Sequence, residues 1–493
     1  MIEYFKLQNP EYAGEQQRKY LERLAELRKL KPKARITFLY STRCPHCVPP
    51  YTIISGSYRP ITAMRVGDSC LGVSGHVKVL NTFEHFYHGR LVVIKARGLL
   101  PLKLTPEHQV LVVTGAGHNQ VMYTKPYWKM AKNVIPKHSK EKGDYLLIPR
   151  VKGETDVAEL TLEPYTTEWG FKVAKAKGCP TSLPLNYDTA WLLGLYVAEG
   201  DTCKTAVRFH LGKHERTLVE RLCGKIRKLG YSPRVVENRT TISVEIQSRI
   251  LPRAFKDWCG QKAENKRVPE FILYHKDNGV IKAFLKGYVE GDGCIIGNLT
   301  QITTISLTLA LQIQLLNARL GNIAKIWKRH VKDVHYIEGR RIKQKDSYSV
   351  GWTTGTNKHR GAILNDFVAY PVESVEFTPY SGTVYNLETG DETYMAFNAV
   401  VHNCKLVKPI LEEYVRRHPE IGLTELNVES KETYTNLLEA ILKGELEVPV
   451  AVINDRFIVK GDKDFLARLT YAIKLAENTP PTREEEAKWL LKK

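Results

Sequence analysis

Two of the nine cysteines stand at a spacing that can do thiol chemistry: Cys44-Pro45-His46-Cys47. The β-rich run ARITFLYSTR leads into this Cys-x-x-Cys. Where such a motif opens a helix, the helix N-terminus lowers the pKa of the first thiol and favours its thiolate. The continuation forbids that here. Val48-Pro49-Pro50 follows Cys47, and two prolines cannot lie in a helix that has just begun. A suitable helix opens instead at Cys404, in CKLVKPILEEYVRRH, where Leu406, Val407, Ile410, Leu411, Tyr414 and Val415 form an apolar stripe.

The segment between these points begins with Cys47 and ends with His402-Asn403, directly before Cys404. Those residue types permit a chain of acyl transfers. Cys47 can attack the carbonyl of His46 and convert the peptide bond to a thioester. Cys404 can take over the acyl group, and Asn403 can cyclise through its side-chain amide onto its own carbonyl, releasing Cys404. An S-to-N shift through a five-membered ring then leaves an amide between His46 and Cys404. Each step is nucleophilic catalysis by proximity.

A second constellation lies inside that segment. LLGLYVAEGD at 192–201 and LKGYVEGDG at 285–293 each end in an acid followed by glycine, and Glu199 and Asp292 are 93 residues apart. Glycines 230 and 321, closing KIRKLG and LNARLG, repeat at nearly the same offset, which predicts two copies of helix, strand, helix, paired strands and helix. Gly194/Ala198 and Gly287/Gly291 are small residues at i, i+4, so each pair marks one helix face. Two such faces can pack closely and bring Glu199 and Asp292 together. Paired carboxylates repel unless a cation lies between them, and oxygen ligands suit Mg²⁺.

The elements that must position these residues differ along the chain. EQQRKYLERLAELRKL, with Tyr20, Leu24 and Leu27, reads as an amphipathic helix before the first strand. After 404–418 come a strand (GLTELNVE), a helix (TYTNLLEAIL) and the segment EVPVAVINDRFIV, in which a further strand opens after Pro449. Net charge is +20, and it is uneven: residues 1–46 and 404–493 carry 25 Lys+Arg against 21 Asp+Glu, the segment between them 48 against 32. The basic excess of the middle points to a polyanion partner. DNA contact is expected from basic strands in 205–212 and 232–249 of the first copy, and in 322–333 and 338–352 of the second. The odd cysteine count gives no disulfide framework, and there is no second Cys-x-x-Cys to build a zinc site. With neither an apolar N-terminal leader nor a spanning run, a cytoplasmic protein without a membrane partner is expected.

Joined at His46 and Cys404, ITFLYSTRCPH-CKLVKPILEEY resembles a thioredoxin or glutaredoxin active site with its helix. The resemblance implies a host of 1–46 and 404–493 whose redox pair is Cys44 and Cys404, with an unknown redox partner. The segment 47–403 resembles an intein. TPEH at 105–108 is similar to that family's Thr-x-x-His, ITAMRVGDSCLGVSGHVKVL to its opening strands and VYNLETGDETYMAFNAVVHN to its closing ones. The resemblance implies that His108 protonates or distorts the His46-Cys47 amide with support from Thr105, and that His402 stabilises the oxyanion at Asn403. Glu392-Thr393 stand where many inteins carry a further histidine. The two acidic motifs resemble LAGLIDADG homing endonucleases, which implies a monomeric pseudo-dimer acting on double-stranded DNA with Mg²⁺ held by Glu199 and Asp292. Lys266, in KRVPEFI, becomes the catalytic lysine on this resemblance, with Lys345 a weaker candidate.

The expected fold class is therefore multi-domain. An α/β thioredoxin-like host (1–46, 404–493) is split by an all-β splicing (Hint) domain (47–160, 368–403). That domain holds an α+β LAGLIDADG endonuclease at 185–358, with repeats at about 185–265 and 280–358. Two other readings use fewer of these residues. One is a redox protein with a permanent DNA-binding insert, which leaves Cys47, His402, Asn403 and Cys404 to coincidence. The other keeps splicing around a DNA-binding relic.

Overall fold

The computed structural model describes residues 34–40, 47–117, 121–138, 141–176, 178–330, 335–337, 340–342, 345–353, 361–403, 411, 414–418, 421–427, 450–453, 457–460 and 465–478. Cys44, His46, Cys404, Pro449, the helix expected around 20–27 and the one expected around 433–442 lie outside them. Two compact units are formed: Met1–Cys44 with Lys405–Lys493, and Pro45–Cys404.

In the first unit the apolar run Ala34–Tyr40 is a strand. It lies inside a four-stranded sheet ordered Ile421–Asn427, Ala34–Tyr40, Val450–Ile453, Phe457–Lys460. Ala34 to Tyr40 pairs in parallel with Ile421 to Asn427, and Ile36 to Leu39 antiparallel with Ile453 to Val450. A parallel pair needs a crossover rather than a tight turn; here the chain between Tyr40 and Ile421 supplies it. Ile36, Ile421, Ala451 and Ile453 from the sheet bury with Leu411 and with Leu469 and Ile473 of the helix Phe465–Asn478. None of the three partner strands precedes residue 420.

The second unit is built on two long strands, His76–Ala96 and Phe367–Thr389, which pair antiparallel from Val372 opposite Ala96 to Thr389 opposite Val79. Strands of this length must bend. Register shifts at Val372/Ser374 and Glu388/Thr389 provide the bulges. Beyond Phe367–Thr389 the sheet continues through Gly143–Pro149, Gln109–Ala116, Ala399–His402 and Thr393–Ala396. The apolar faces of these strands are buried, and the turn between the last two places Phe397 and Asn398 at positive φ.

Within the same unit two helices carry the acidic motifs, Tyr187–Glu199 and Asn278–Asp292. Asn186 and Asp277 cap their N-termini by accepting from Thr189 N and Gly279 N. The small residues meet as their spacing predicts. A Cβ on Gly194 would stand 2.0 Å from the carbonyl oxygen of Phe284, and one on Gly287 2.0 Å from that of Trp191. Backbone lies against backbone, so no side chain can yield. Gly287→Val should therefore lower stability by about 1–3 kcal/mol or more, read as a lower denaturant midpoint for the full chain.

Each motif helix runs into a four-stranded sheet: Gly200–Thr202, Ala206–Gly212, Thr241–Gln247 and Pro233–Glu237 in the first copy. The second has Gly293–Ile296, Leu299–Thr304, Ser347–Thr353 and Ile323–Arg329. This corrects the expected repeat, which had one strand after each motif. The extra strand is three or four residues long and starts at the motif glycine, too short to show alternation. The helix Leu307–Arg319 joins this half to the β half. Gln314 Nε2 donates to the carbonyls of Gly98 and Ala324, and Asn398 Nδ2 donates to Leu311 O and Gln314 Oε1. Among the described residues no helix is long and apolar enough to cross a membrane.

Candidate functional site

Cys47 sits at the start of the β half with no solvent exposure. Its backbone is clamped: its N–H donates to Thr105 Oγ1 at 2.8 Å, and its carbonyl accepts from Thr105 N at 2.9 Å and Thr105 Oγ1 at 3.2 Å. Val48 exchanges both backbone hydrogen bonds with Tyr385, each 2.8 Å. Thr105 can reach Cys47 because Thr105-Pro106-Glu107-His108 is a tight turn, closed by His108 N to Thr105 O at 3.1 Å. His108, at its end, is wholly buried with its ring edge-on to Tyr394, centroids 6.4 Å apart.

The other terminus of the unit is held by the same long strand. Asn403 is 2% exposed; its N–H donates to Glu392 O at 2.9 Å, and its Nδ2 to Thr389 O at 3.2 Å and Thr389 Oγ1 at 3.4 Å. Its Oδ1 is buried and has no hydrogen-bond partner among the described residues. His402 Nδ1 donates to the Asn403 carbonyl oxygen at 2.8 Å, and its ring stands edge-on to Trp128, centroids 4.9 Å apart. A donor on that carbonyl polarises it toward attack. Glu392 meets Asn403 through its backbone carbonyl.

Three contributors escaped sequence reasoning. Thr389 orients the Asn403 amide, and Trp128 flanks His402. Trp128 belongs to the strand Tyr127–Met130, pinned by Lys129 Nζ on the buried Asp144 at 2.7 Å. The third, His85, places Nδ1 3.9 Å from Cys47 Sγ. None carries a local motif; only the register of distant strands brings them in.

Glu199 and Asp292 end their helices side by side. A Cβ on Gly291, next to Asp292, would lie 3.0 Å from Glu199 Cγ. Burial, and then the charge of Asp292, raise Glu199 from its ordinary 4.5 to about 7. Burial raises Asp292 from 3.8 to about 6, with Lys266 opposing. Lys266 is itself buried, which pushes it down to about 8. Its Nζ donates to Tyr196 O at 2.6 Å and Gly200 O at 2.7 Å and lies 3.7 Å from the Tyr196 ring centroid. Lys266 thus caps the helix bearing Glu199 and faces both carboxylates electrostatically. Lys345 is elsewhere, exposed and paired with Glu264. Beside Glu199, Asp201 accepts from Arg208 Nε and Nη2 at 2.9 and 2.6 Å.

The donor set fits a hard divalent cation. Two carboxylates supply oxygen, and no cluster of three His, Cys, Asp or Glu exists among the described residues to favour a softer metal. Raised carboxylate pKa values mean that the folded protein keeps protons the unfolded chain has lost. Stability from this pair is present below the ordinary carboxylate range and lost as pH rises through about 6 to 7. A cation offsets that loss only when both groups are ionised. Stabilisation by added Mg²⁺ should therefore grow from pH 6 to pH 8 in thermal melts, and Glu199→Gln should flatten the trend.

Residues 279–349, which include Asp292, match the family model for the LAGLIDADG-like domain. The chain contains a LAGLIDADG-like domain. The ATP-dependent DNA helicase Hel308 of Thermococcus kodakarensis is 30% identical over 479 residues, covering 84% of this chain and 42% of the helicase. An iron-sulfur cluster assembly SufBD family protein of Mycobacterium bovis is 26% identical over 416 residues, covering 79% and 47%. The chain spans less than half the length of these relatives. Among solved structures, variants of the homing endonuclease I-DmoI are similar at 16% identity and a TM-score of 0.26, over 34% of this chain and 84% of that one.

Proposed function

We propose that residues 47–403 are a self-splicing intein carrying a LAGLIDADG homing endonuclease, inserted in a thioredoxin-like thiol protein. The observation that carries this reading is the sheet of the first unit. Its inner strand Ala34–Tyr40 comes from before the insertion and all its partners from after it. A chain opened at 46/47 and 403/404 and rejoined keeps every strand of that sheet. A central strand with a parallel neighbour on one side, an antiparallel hairpin on the other and a closing helix suits a thioredoxin-like host. The named relatives, a helicase and an iron-sulfur assembly protein, share no activity, which fits a segment carried by unrelated hosts.

In the first step the Cys47 Sγ–C bond forms at His46 and the C–N bond to Cys47 breaks, with His108 and Thr105 acting on that amide. Cys404 then takes the acyl group. Asn403 Nδ2 attacks its own carbonyl, polarised by His402, and the Cys404 nitrogen leaves as an amine. The closing S-to-N shift joins His46 to Cys404, so that Cys44 and Cys404 become the Cys-Pro-His-Cys pair of the mature host.

The endonuclease reading rests on Glu199 and Asp292 at the seam of two pseudo-symmetric copies. These two residues would hold Mg²⁺, which when bound would supply an activated water and charge balance at a phosphodiester. Lys266 keeps the first motif helix and its acid in place. Double-stranded DNA would lie along the two sheets, where Gln301, Trp327, Lys328, Arg329 and Ser349 line a concave face in the second copy. Engagement of roughly 6–10 phosphates would make affinity fall about 10³–10⁵-fold between 50 and 200 mM salt. The target is the host gene lacking the insertion, around the codons for His46 and Cys404.

Expressing the chain and weighing its products tests the splicing reading. Splicing consumes no water, so two products are expected whose masses add to the precursor's 56.2 kDa. A single stable species of 56.2 kDa overturns it.

A further inference from the structure

We infer that His85 is the base that takes the Sγ proton of Cys47 in the thioester-forming step, a catalytic role that rests on the splicing reading above. The sheet register puts it there. His85 lies opposite Val384, and the next residue, Tyr385, is the one that brackets Val48. Side chains alternate along strands, so His85 and Val384 share a face with Cys47, one residue before Val48. The result is the 3.9 Å approach of Nδ1 to Sγ.

A base is needed at this position. Cys47 is fully buried, and burial disfavours the charged thiolate that must attack. Five hydrogen bonds from Thr105 and Tyr385 clamp the Cys47 and Val48 backbone and fix the Cα from which the thiol projects on the face shared with His85. An imidazole protonated at Nε2 presents its Nδ1 lone pair to the thiol. The proton moves from Sγ to Nδ1 as the S–C bond to His46 forms. The C–N bond then breaks, and the Cys47 nitrogen leaves with a proton returned by an imidazolium, so the step is an isomerisation with no co-reactant.

The test uses the full chain carrying Asn403→Ala, in which only the N-terminal steps can run. Thiol-induced cleavage at 46/47 is followed with His85 intact, with His85→Ala, and with His85→Ala plus added imidazole. Asn403 cyclisation is followed separately with Cys47→Ala, alone and combined with His85→Ala. The expected result is an about 10²–10⁴-fold slower thiol-induced cleavage in His85→Ala, partial recovery with imidazole, and unchanged cyclisation. Cleavage within a few-fold of the parent overturns the assignment. So does an equal loss of cyclisation, which would make His85 a packing residue. If the parent with His85 intact shows no thiol-sensitive cleavage, the splicing reading itself fails and takes this assignment with it.

Discussion

Asn403→Ala should stop release of the C-terminal segment completely while leaving the N-terminal junction reactive. Alanine has no side-chain amide, so no ring can form and the 403/404 bond has no route to scission. The effect is the loss of a step, larger than any change in packing. The variant should accumulate full-length chain and branched or thioester forms, and added thiol should cut it at 46/47. His402→Ala should give a weaker version of the same defect, about 10²–10³-fold, because it removes one donor from the Asn403 carbonyl. Thr389 should matter less, since it orients Nδ2 through two long contacts. Release of residues 404–493 from Asn403→Ala at the wild-type rate would rule out cyclisation.

Glu199→Gln and Asp292→Asn are expected to abolish double-strand cutting by roughly 10²–10³-fold or more each, with DNA binding nearly intact. Each change keeps the side-chain shape and removes one ionisable oxygen pair from the seam. Repulsion between the two acids is relieved, so the variants should also be more stable than the parent without Mg²⁺ above about pH 7. Gel-shift and cleavage assays on the same duplex separate the two effects. The proposed splicing reaction should continue unchanged, since Cys47, Thr105, His108, His402 and Asn403 belong to the β half. A Glu199→Gln chain that cuts at the parent's rate would dissociate the carboxylate pair from nuclease chemistry.

How much of this was legible in the sequence differs by site. The ends of the proposed insertion are argued from local chemistry: a cysteine before two prolines, and His-Asn-Cys before a sequence with a helical apolar stripe. The glycine faces of the motif helices could be read because small residues at i, i+4 have a fixed geometric meaning, and Gly194 and Gly287 meet backbone accordingly. The short strands after each motif could not, because three or four residues show no period. His85, Trp128 and Thr389 were equally hidden. Their positions come from pairing between residues up to several hundred positions apart, such as His85 with Val384 and Thr389 with Val79. Lys266 was singled out by its motif alone, but its two carbonyl acceptors, Tyr196 and Gly200, are set by tertiary packing. The proposed redox pair of Cys44 and Cys404, both outside the described residues, rests on the sequence, and on a sheet whose strands join only if the two flanks fold together.

Tandem mass spectrometry of the expressed chain, directed at the junction peptide, tests the central claim most directly. The account predicts a peptide reading Cys44-Pro45-His46-Cys404-Lys405, together with a released segment that begins at Cys47 and ends in a cyclised Asn403. If His46 is found followed only by Cys47, in chain that is folded and soluble, the account is contradicted.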